Sequence, residues 1–229
     1  MDIQQIVREL KPLVMGWMYA DLGDGWRIIP YGAAYGSATT ITFAGVDCTV
    51  LFPVGAPVRW RQREGWLYGY VVSVAFSTDT TLTVVGNSVV NAPIGAVWVS
   101  HGINPTGFPG WFAYSPTPTG FSSVPATADY RFAIVGRVVT LVVAKKVDGT
   151  SNATTLTVSL PVTAATVGTA GTWTGTNGHA VDNGIGLTVA SRWNINSGGT
   201  TIDFYTNMSL GEWTNAGGKR VRCVAQYEI

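Results

Sequence analysis

From Trp26 onward the chain alternates apolar and polar side chains with a period of two. That repeat sends successive residues to opposite faces of a β-strand. I-T-F at 41–43, T-V-L-F at 49–52, V-R-W-R at 58–61, W-L-Y-G-Y-V-V-S-V at 66–74, T-L-T-V-V at 81–85 and A-V-W-V at 96–99 read as strands. Each is bounded by Gly, Pro, Asp or Asn turn signals. Spacings of about 8 to 15 residues fit a small antiparallel β-barrel or sandwich. A second series reads as strands at 130–135, 138–144, 154–160, 164–174, 185–193, 200–206 and 220–228. Gly136-Arg137 and Asp148-Gly149 supply turn signals within it. This series has the size of a jelly-roll-like or immunoglobulin-like β-sandwich, and periodicity does not choose between those topologies.

Two stretches depart from the pattern. Between the strand series, Pro105, Pro109, Pro116, Pro118 and Pro125 interrupt any ladder, because proline cannot donate a backbone hydrogen bond. The segment therefore reads as a connector, with Phe108, Trp111, Phe112, Tyr114 and Phe121 packing it down. At the N-terminus, Ile3, Ile6, Leu10 and Leu13 stand at spacings of three, four and three, a heptad-like helical seam with Val7 and Val14 beside it. Pro12 kinks or restarts that helix. Two heptads are short for an autonomous coiled coil. The seam either gathers the N-termini of an oligomer, docks onto a larger body, or packs on its own domain. The chain is thus expected to be all-β after an N-terminal helix. Its expected parts are a helical attachment segment at 1–25, a first β domain at 26–103, a connector at 104–127 and a C-terminal β-sandwich domain at 128–229.

Composition changes what such a protein can be. Charged residues are 12% of the 229, against 46% hydrophobic residues, 28 glycines and 9 tryptophans. Charge is about half the usual share. A hydroxyl-rich, weakly charged surface suits either a neutral monomer or a protein that hides surface against copies of itself. Net charge is +1 with no long basic run, so nucleic-acid binding lacks its electrostatic footprint. Arg59, Arg61 and Arg63 alternate, which on a strand places them on one face, opposite Trp60 and Gln62. That face is either solvated or a site for an anion. The N-terminus has no signal-peptide pattern and no apolar run is long enough to span a membrane. Cys48 and Cys223 are expected to be two buried thiols of a protein made in a reducing cytoplasm.

Catalytic constellations are missing. Only His101 and His179 are present, the cysteines lack metal-ligand spacing, and neither a nucleophile elbow nor a phosphate-binding loop occurs. No catalytic residue, metal or cofactor is therefore expected. A glycosidase needs two carboxylates about 5 to 10 Å apart. Asp182 with Asp203 or Glu212 could supply such a pair, although Asp182-Asn183-Gly184 has the composition of a turn. Trp173, Trp193 and Trp213 recur at about 20-residue intervals. They are either glycan-stacking platforms or anchors in a core or subunit interface, since tryptophan contributes large buried area.

Several short motifs carry a resemblance. D-C-T-V-L-F-P-V-G-A-P-V-R-W-R-Q, G-Y-V-V-S-V-A-F, T-T-L-T-V-V-G and G-F-P-G-W-F resemble a β-module of bacteriophage and prophage structural proteins. R-F-A-I-V-G-R-V-V-T-L, T-S-N-A-T-T-L-T-V-S-L-P and W-T-N-A-G-G-K-R-V-R-C-V-A-Q-Y-E-I resemble the distal domain of tail-fibre or head-fibre proteins. The resemblance spans roughly 26–229. It implies a virion component, a homotrimer, attached to other virion proteins through its N-terminal segment and touching a host surface glycan with its distal end. A capsid or tail decoration protein without receptor binding, and a polysaccharide depolymerase, are the competing readings.

Overall fold

The structure is a computed structural model that describes residues 24–124, 128–145, 148–168 and 171–229. It divides into two compact units between Pro109 and Gly110. Both are all-β with antiparallel pairing. The helix expected at 1–25, with Ile3, Ile6, Leu10 and Leu13, lies outside the described residues.

The first unit is one seven-stranded sheet. Its strands are β1 (Arg27–Ile28), β2 (Ala34–Ser37), β3 (Thr40–Phe43), β4 (Pro57–Gln62), β5 (Gly65–Phe76), β6 (Thr80–Gly86) and β7 (Ile94–Val99), in the order β1-β7-β4-β5-β6-β3-β2. Alternation decides which face is buried. Val58 and Trp60 on β4, Val97 and Val99 on β7, Leu82 and Val84 on β6, and Ile41 and Phe43 on β3 form one core. Each large side chain so buried contributes roughly 1.5–3 kcal/mol. One polar group sits in that core without penalty. Gln62 accepts from Trp60 Nε1 (3.2 Å) and Val90 N (2.9 Å), and donates to the carbonyls of Val90 (2.7 Å) and Ala92 (2.9 Å). Its amide is fully satisfied, which is the condition for burying it. The T-V-L-F run expected as a strand is instead a 3-10 turn at Thr49–Leu51. Asp47 takes hydrogen bonds from both the Thr49 amide (3.1 Å) and hydroxyl (2.8 Å), a local alternative that outcompetes the ladder.

The second unit holds β8 (Phe112–Ala113), β9 (Phe121–Ser123), β10 (Ala128–Val135), β11 (Val138–Lys145), β12 (Gly149–Ser151), β13 (Thr157–Ser159), β14 (Thr172–Thr176), β15 (His179–Asp182), β16 (Ile185–Gly186), β17 (Arg192–Asn196), β18 (Thr201–Tyr205) and β19 (Gly218–Glu228). The larger sheet runs β16-β15-β19-β11-β10-β8, with β12 pairing β19 and β9. The smaller runs β13-β18-β17-β14. Inward positions on both are mostly apolar: Val139, Leu141, Val221 and Ala225 on one, Trp193, Ile195, Ile202 and Phe204 on the other, with Lys219 the buried exception on β19. Residues 110–123 join this unit, since β8 pairs β10, β9 pairs β12, and Pro118 bridges Val158. Proline is tolerated there because 117–119 is the outermost segment beside β13.

Candidate functional site

The outward face of the smaller sheet is a row of polar side chains. Thr174 on β14 opposes Asn194 on β17, which opposes Asp203 on β18, which opposes Thr157 on β13. Directly opposed residues share a face, so the inward neighbours Trp193, Ile195, Ile202 and Phe204 force these four outward. The row continues to Thr119, whose hydroxyl lies 2.7 Å from that of Thr157.

A cleft of about 270 Å³ opens at one end of this face. It is lined from three directions: Thr154 to Thr157 leading into β13, Asp203 to Tyr205 on β18, and Leu210 with Glu212 on the loop that follows. The loop is shaped by Asn207, whose side-chain oxygen accepts from the amides of Ser209 and Gly211 (both 2.9 Å). Leu210 takes a left-handed φ of 62°, which presents its side chain, 45% exposed, at the mouth. For a non-glycine residue that conformation is costly and must be held by its surroundings. Beneath the cleft, Trp213 is buried and donates from Nε1 to the Phe204 carbonyl (2.7 Å), while its amide bonds the Thr154 carbonyl (2.9 Å). One indole thus ties two of the three walls together.

Lys219 holds the same region from the other side. Fully buried, it donates from Nζ to the carbonyls of Ala153 (2.7 Å) and Thr155 (2.9 Å), and lies 5.5 Å from the Phe121 ring. Burial pulls its pKa down, and the charge of Asp182 pulls the other way. Gly120 is required at this point, since a Cβ there would collide with the Thr155 carbonyl and its φ is 83°.

Chemically the cleft offers acceptors. Asp203 and Glu212 contribute carboxylates, three threonines contribute hydroxyls, Tyr205 contributes a phenol ring, and no cationic side chain lines it. Burial pushes the Asp203 carboxyl above its ordinary range, partly offset by a hydrogen bond from Thr201 (3.3 Å). Such a site suits a ligand rich in hydroxyl or amino donors with an apolar patch for Tyr205 and Leu210.

The residues singled out in the sequence separate here. Asp203 and Glu212 meet in the cleft. Asp182 does not: its carboxylate accepts from the amide (3.0 and 3.1 Å) and hydroxyl (2.8 Å) of Thr214. The turn expected after it is present, with positive φ at Asn183 and Gly184. Of the proposed stacking platforms, Trp193 and Trp213 are corrected to core residues, at 5% and 2% exposure. The indole of Trp193 lies over Gly175, where an added Cβ would stand 2.5 Å from the ring. Trp173 opposes Ile195, so it lies on the inward side and is only half-exposed. Thr154, Thr155, Tyr205 and Leu210 went unnoticed in the sequence. For the first three the signal was the outward half of A-T-T-L-T and T-I-D-F-Y, where hydroxyls, an acid and a phenol occupy positions opposite the core; Leu210, in the loop after β18, carried none.

The arginine trio also separates. Arg59 pairs with Asp24 (3.2 Å) and sits 4.6 Å over Trp26, 4.6 Å over Trp66 and 5.4 Å over Trp98. Its charge is already enclosed by cation–π contacts and an acid, a structural knot and not an anion site. Arg61 is exposed on the strand, and Arg63 falls in the following turn with φ 52°. Both cysteines are free and buried, and burial pushes the Cys223 thiol up to about 12. Among the described residues, no group of three or more His, Cys, Asp or Glu is placed to hold a metal ion. No protein-family model, curated protein or solved structure matches the chain.

Proposed function

We propose that this chain is a bacteriophage virion structural protein of the fibre or tail-tip type, built from several copies, whose second unit binds a saccharide of the host surface. In the form the resemblance implies, it is a homotrimer held to other virion proteins through its N-terminal segment, and it carries out no reaction and needs no cofactor. In fold terms we read the first unit as a small barrel-like sheet and the second as a jelly-roll-like sandwich. The observation that carries the binding role is the cleft of Thr154 to Thr157, Asp203, Tyr205, Leu210 and Glu212, a donor-seeking surface on a rigid sheet. Motif resemblance and low surface charge support the virion setting.

The test is a glycan array probed with the full chain, followed by calorimetry on any ligand retained. Asp203→Asn and Tyr205→Ala are expected to weaken binding tenfold or more with the fold intact. Retention of no glycan, together with no adsorption to a panel of bacterial cells, would replace this reading with that of a decoration or cement protein.

One observation favours a second reading, a polysaccharide depolymerase. Asp203 and Glu212 line the same cleft, and a carboxyl with a raised pKa is the form a general acid takes. An increase in reducing ends from host polysaccharide, abolished in both Asp203→Asn and Glu212→Gln, would establish it; intact polysaccharide after prolonged incubation would remove it.

A further inference from the structure

The loop that closes the cleft, residues 206–213, is fixed at both ends and braced within. Thr206 donates from its amide to the Gly211 carbonyl (2.9 Å) and from its hydroxyl to the Glu212 carbonyl (3.1 Å). Asn207 Oδ1 takes the amides of Ser209 and Gly211, and the Trp213 amide anchors the far end to the Thr154 carbonyl. A Cβ on Gly211 would collide with the Asn207 side-chain amide and the Thr206 hydroxyl, so the chain passes there only as glycine. Together these contacts hold Leu210 in the left-handed region, at φ 62°.

Leucine suits that conformation poorly, because its Cβ crowds the following carbonyl oxygen, and glycine or asparagine would adopt it at less cost. The fold gains little by burying the side chain, which is 45% exposed. None of the hydrogen bonds that shape the loop uses that side chain, so a different residue at 210 would leave them in place. What leucine adds is an apolar surface on the cleft. An exposed leucine by itself needs no explanation, but a residue kept in a costly conformation by its surroundings is a mark of ligand sites. The same cleft, about 270 Å³, is lined by the carboxylates of Asp203 and Glu212 and the hydroxyls of Thr154, Thr155 and Thr157. That volume lies just under what encloses a drug-sized ligand, and takes roughly one sugar unit with a substituent.

An acetamido substituent matches this lining group by group. Its N–H donates to a carboxylate, its carbonyl accepts from a threonine hydroxyl, and its methyl is the apolar partner for Leu210. A hydroxyl brings no methyl, a free amine brings a donor without one, and the methyl of a deoxy sugar has no donor beside it. We infer that Leu210 is the specificity-determining residue of the cleft and selects saccharides that carry an acetamido group. The inference rests on the reading of the cleft as a saccharide site, and adds which saccharides it takes.

The experiment probes the full chain with a glycan array in which N-acetylglucosamine and N-acetylgalactosamine units stand beside their hydroxyl and free-amine counterparts. Retained sugars are then titrated by saturation-transfer NMR. An acetamido sugar is expected to bind at least tenfold more tightly than its hydroxyl counterpart, with its acetyl methyl the most strongly saturated signal. Leu210→Gly is expected to reduce that preference about fourfold, the worth of one buried methyl-sized group. It should leave the hydroxyl counterpart's affinity unchanged and not lower the thermal midpoint, since glycine relieves the φ. Leu210→Asn, which keeps a Cβ and tolerates the same φ, should act alike if the glycine variant loosens the loop. Binding that ignores the acetamido group, a preference that survives both variants, or equal weakening of the hydroxyl counterpart overturns the role of Leu210 while the saccharide reading stands. Retention of no sugar at all overturns both.

Discussion

The two sheets of the second unit share one inward chemistry and differ in their outward ones. Inward, both are packed with large apolar residues, Trp193 and Phe204 on the smaller, Leu141 and Tyr227 on the larger. Outward, the smaller sheet turns Thr174, Asn194, Asp203 and Thr157 away from its core, and the larger mixes exposed Val135, Val138 and Val224 with Arg131, Thr140 and Gln226. A sheet needs only its inward half to fold. Its outward half is free to record what the surface is for, within the modest preference of strands for branched side chains. Here one outward face carries hydroxyls and acids beside a cleft, and the other sets exposed valines among polar side chains, with Gln226 Nε2 donating to Thr140 Oγ1 (3.1 Å).

The comparison breaks most completely where the shared core is removed. Trp213→Ala deletes a buried indole together with its hydrogen bond to Phe204, and is expected to cost about 3–5 kcal/mol. Chemical denaturation would measure that loss, and the cleft's ligand should be lost with it.

Lys219 gives the next effect. Lys219→Met leaves the Ala153 and Thr155 carbonyls without their donor, at a cost of roughly 1–3 kcal/mol, and should weaken cleft binding while leaving assembly mass unchanged. The native state holds the Lys219 proton less tightly than the unfolded chain does. Its contribution therefore makes stability rise with pH from the lowered native pKa up to the ordinary value of 10.5. That rise should vanish in the methionine variant when midpoints are compared across alkaline pH.

A smaller change sharpens the polar side. The native state holds the Asp203 proton more tightly than the unfolded chain, so its contribution to stability is full below the ordinary carboxylate value of 3.8 and falls as pH rises through the raised native value. Saccharide binding should move the opposite way, strengthening as the carboxylate forms. Asp203→Asn should flatten both profiles, readable by calorimetry and thermal melts over acidic pH. Least of all, Thr174→Ala should shift stability by no more than about 0.5 kcal/mol and leave the mass of the assembly untouched.

Much of the strand framework was readable because inward residues repeat every second position. β4, β5, β6, β7, β10, β11 and β19 fall close to where alternation places them. Runs of alternating residues without local competitors behaved as strands, while Asp47 pulled 49–51 into a turn. The 164–174 run forms a strand only from Thr172. β15 went unread, because His179 to Asp182 is short and shows no clear alternation. In the site, Asp203 and Glu212 were visible as carboxylates, yet nothing in their spacing separated them from Asp182. Thr214 claims Asp182, and the loop shaped by Asn207 carries Glu212 to the cleft.

Alternation is a local property, so the chain carries within short windows its all-β character, most strand positions and the side of each strand that turns inward. Low charge and the sparse histidines and cysteines likewise follow from composition. Which strands lie side by side depends on contacts between residues far apart in the chain, and periodicity is silent on those. The pairing of β11 with β19 joins Val142 to Val224 across 82 positions, and the pairing of β13 with β18 brings Thr157 beside Asp203. Burial of Trp193 and Trp213, the Arg59 knot and the cleft all arise from such pairings. A tryptophan at a given spacing stacks on a ligand or fills a core according to what the fold lays over it, and here Gly175 and the Phe204 carbonyl supply the cover.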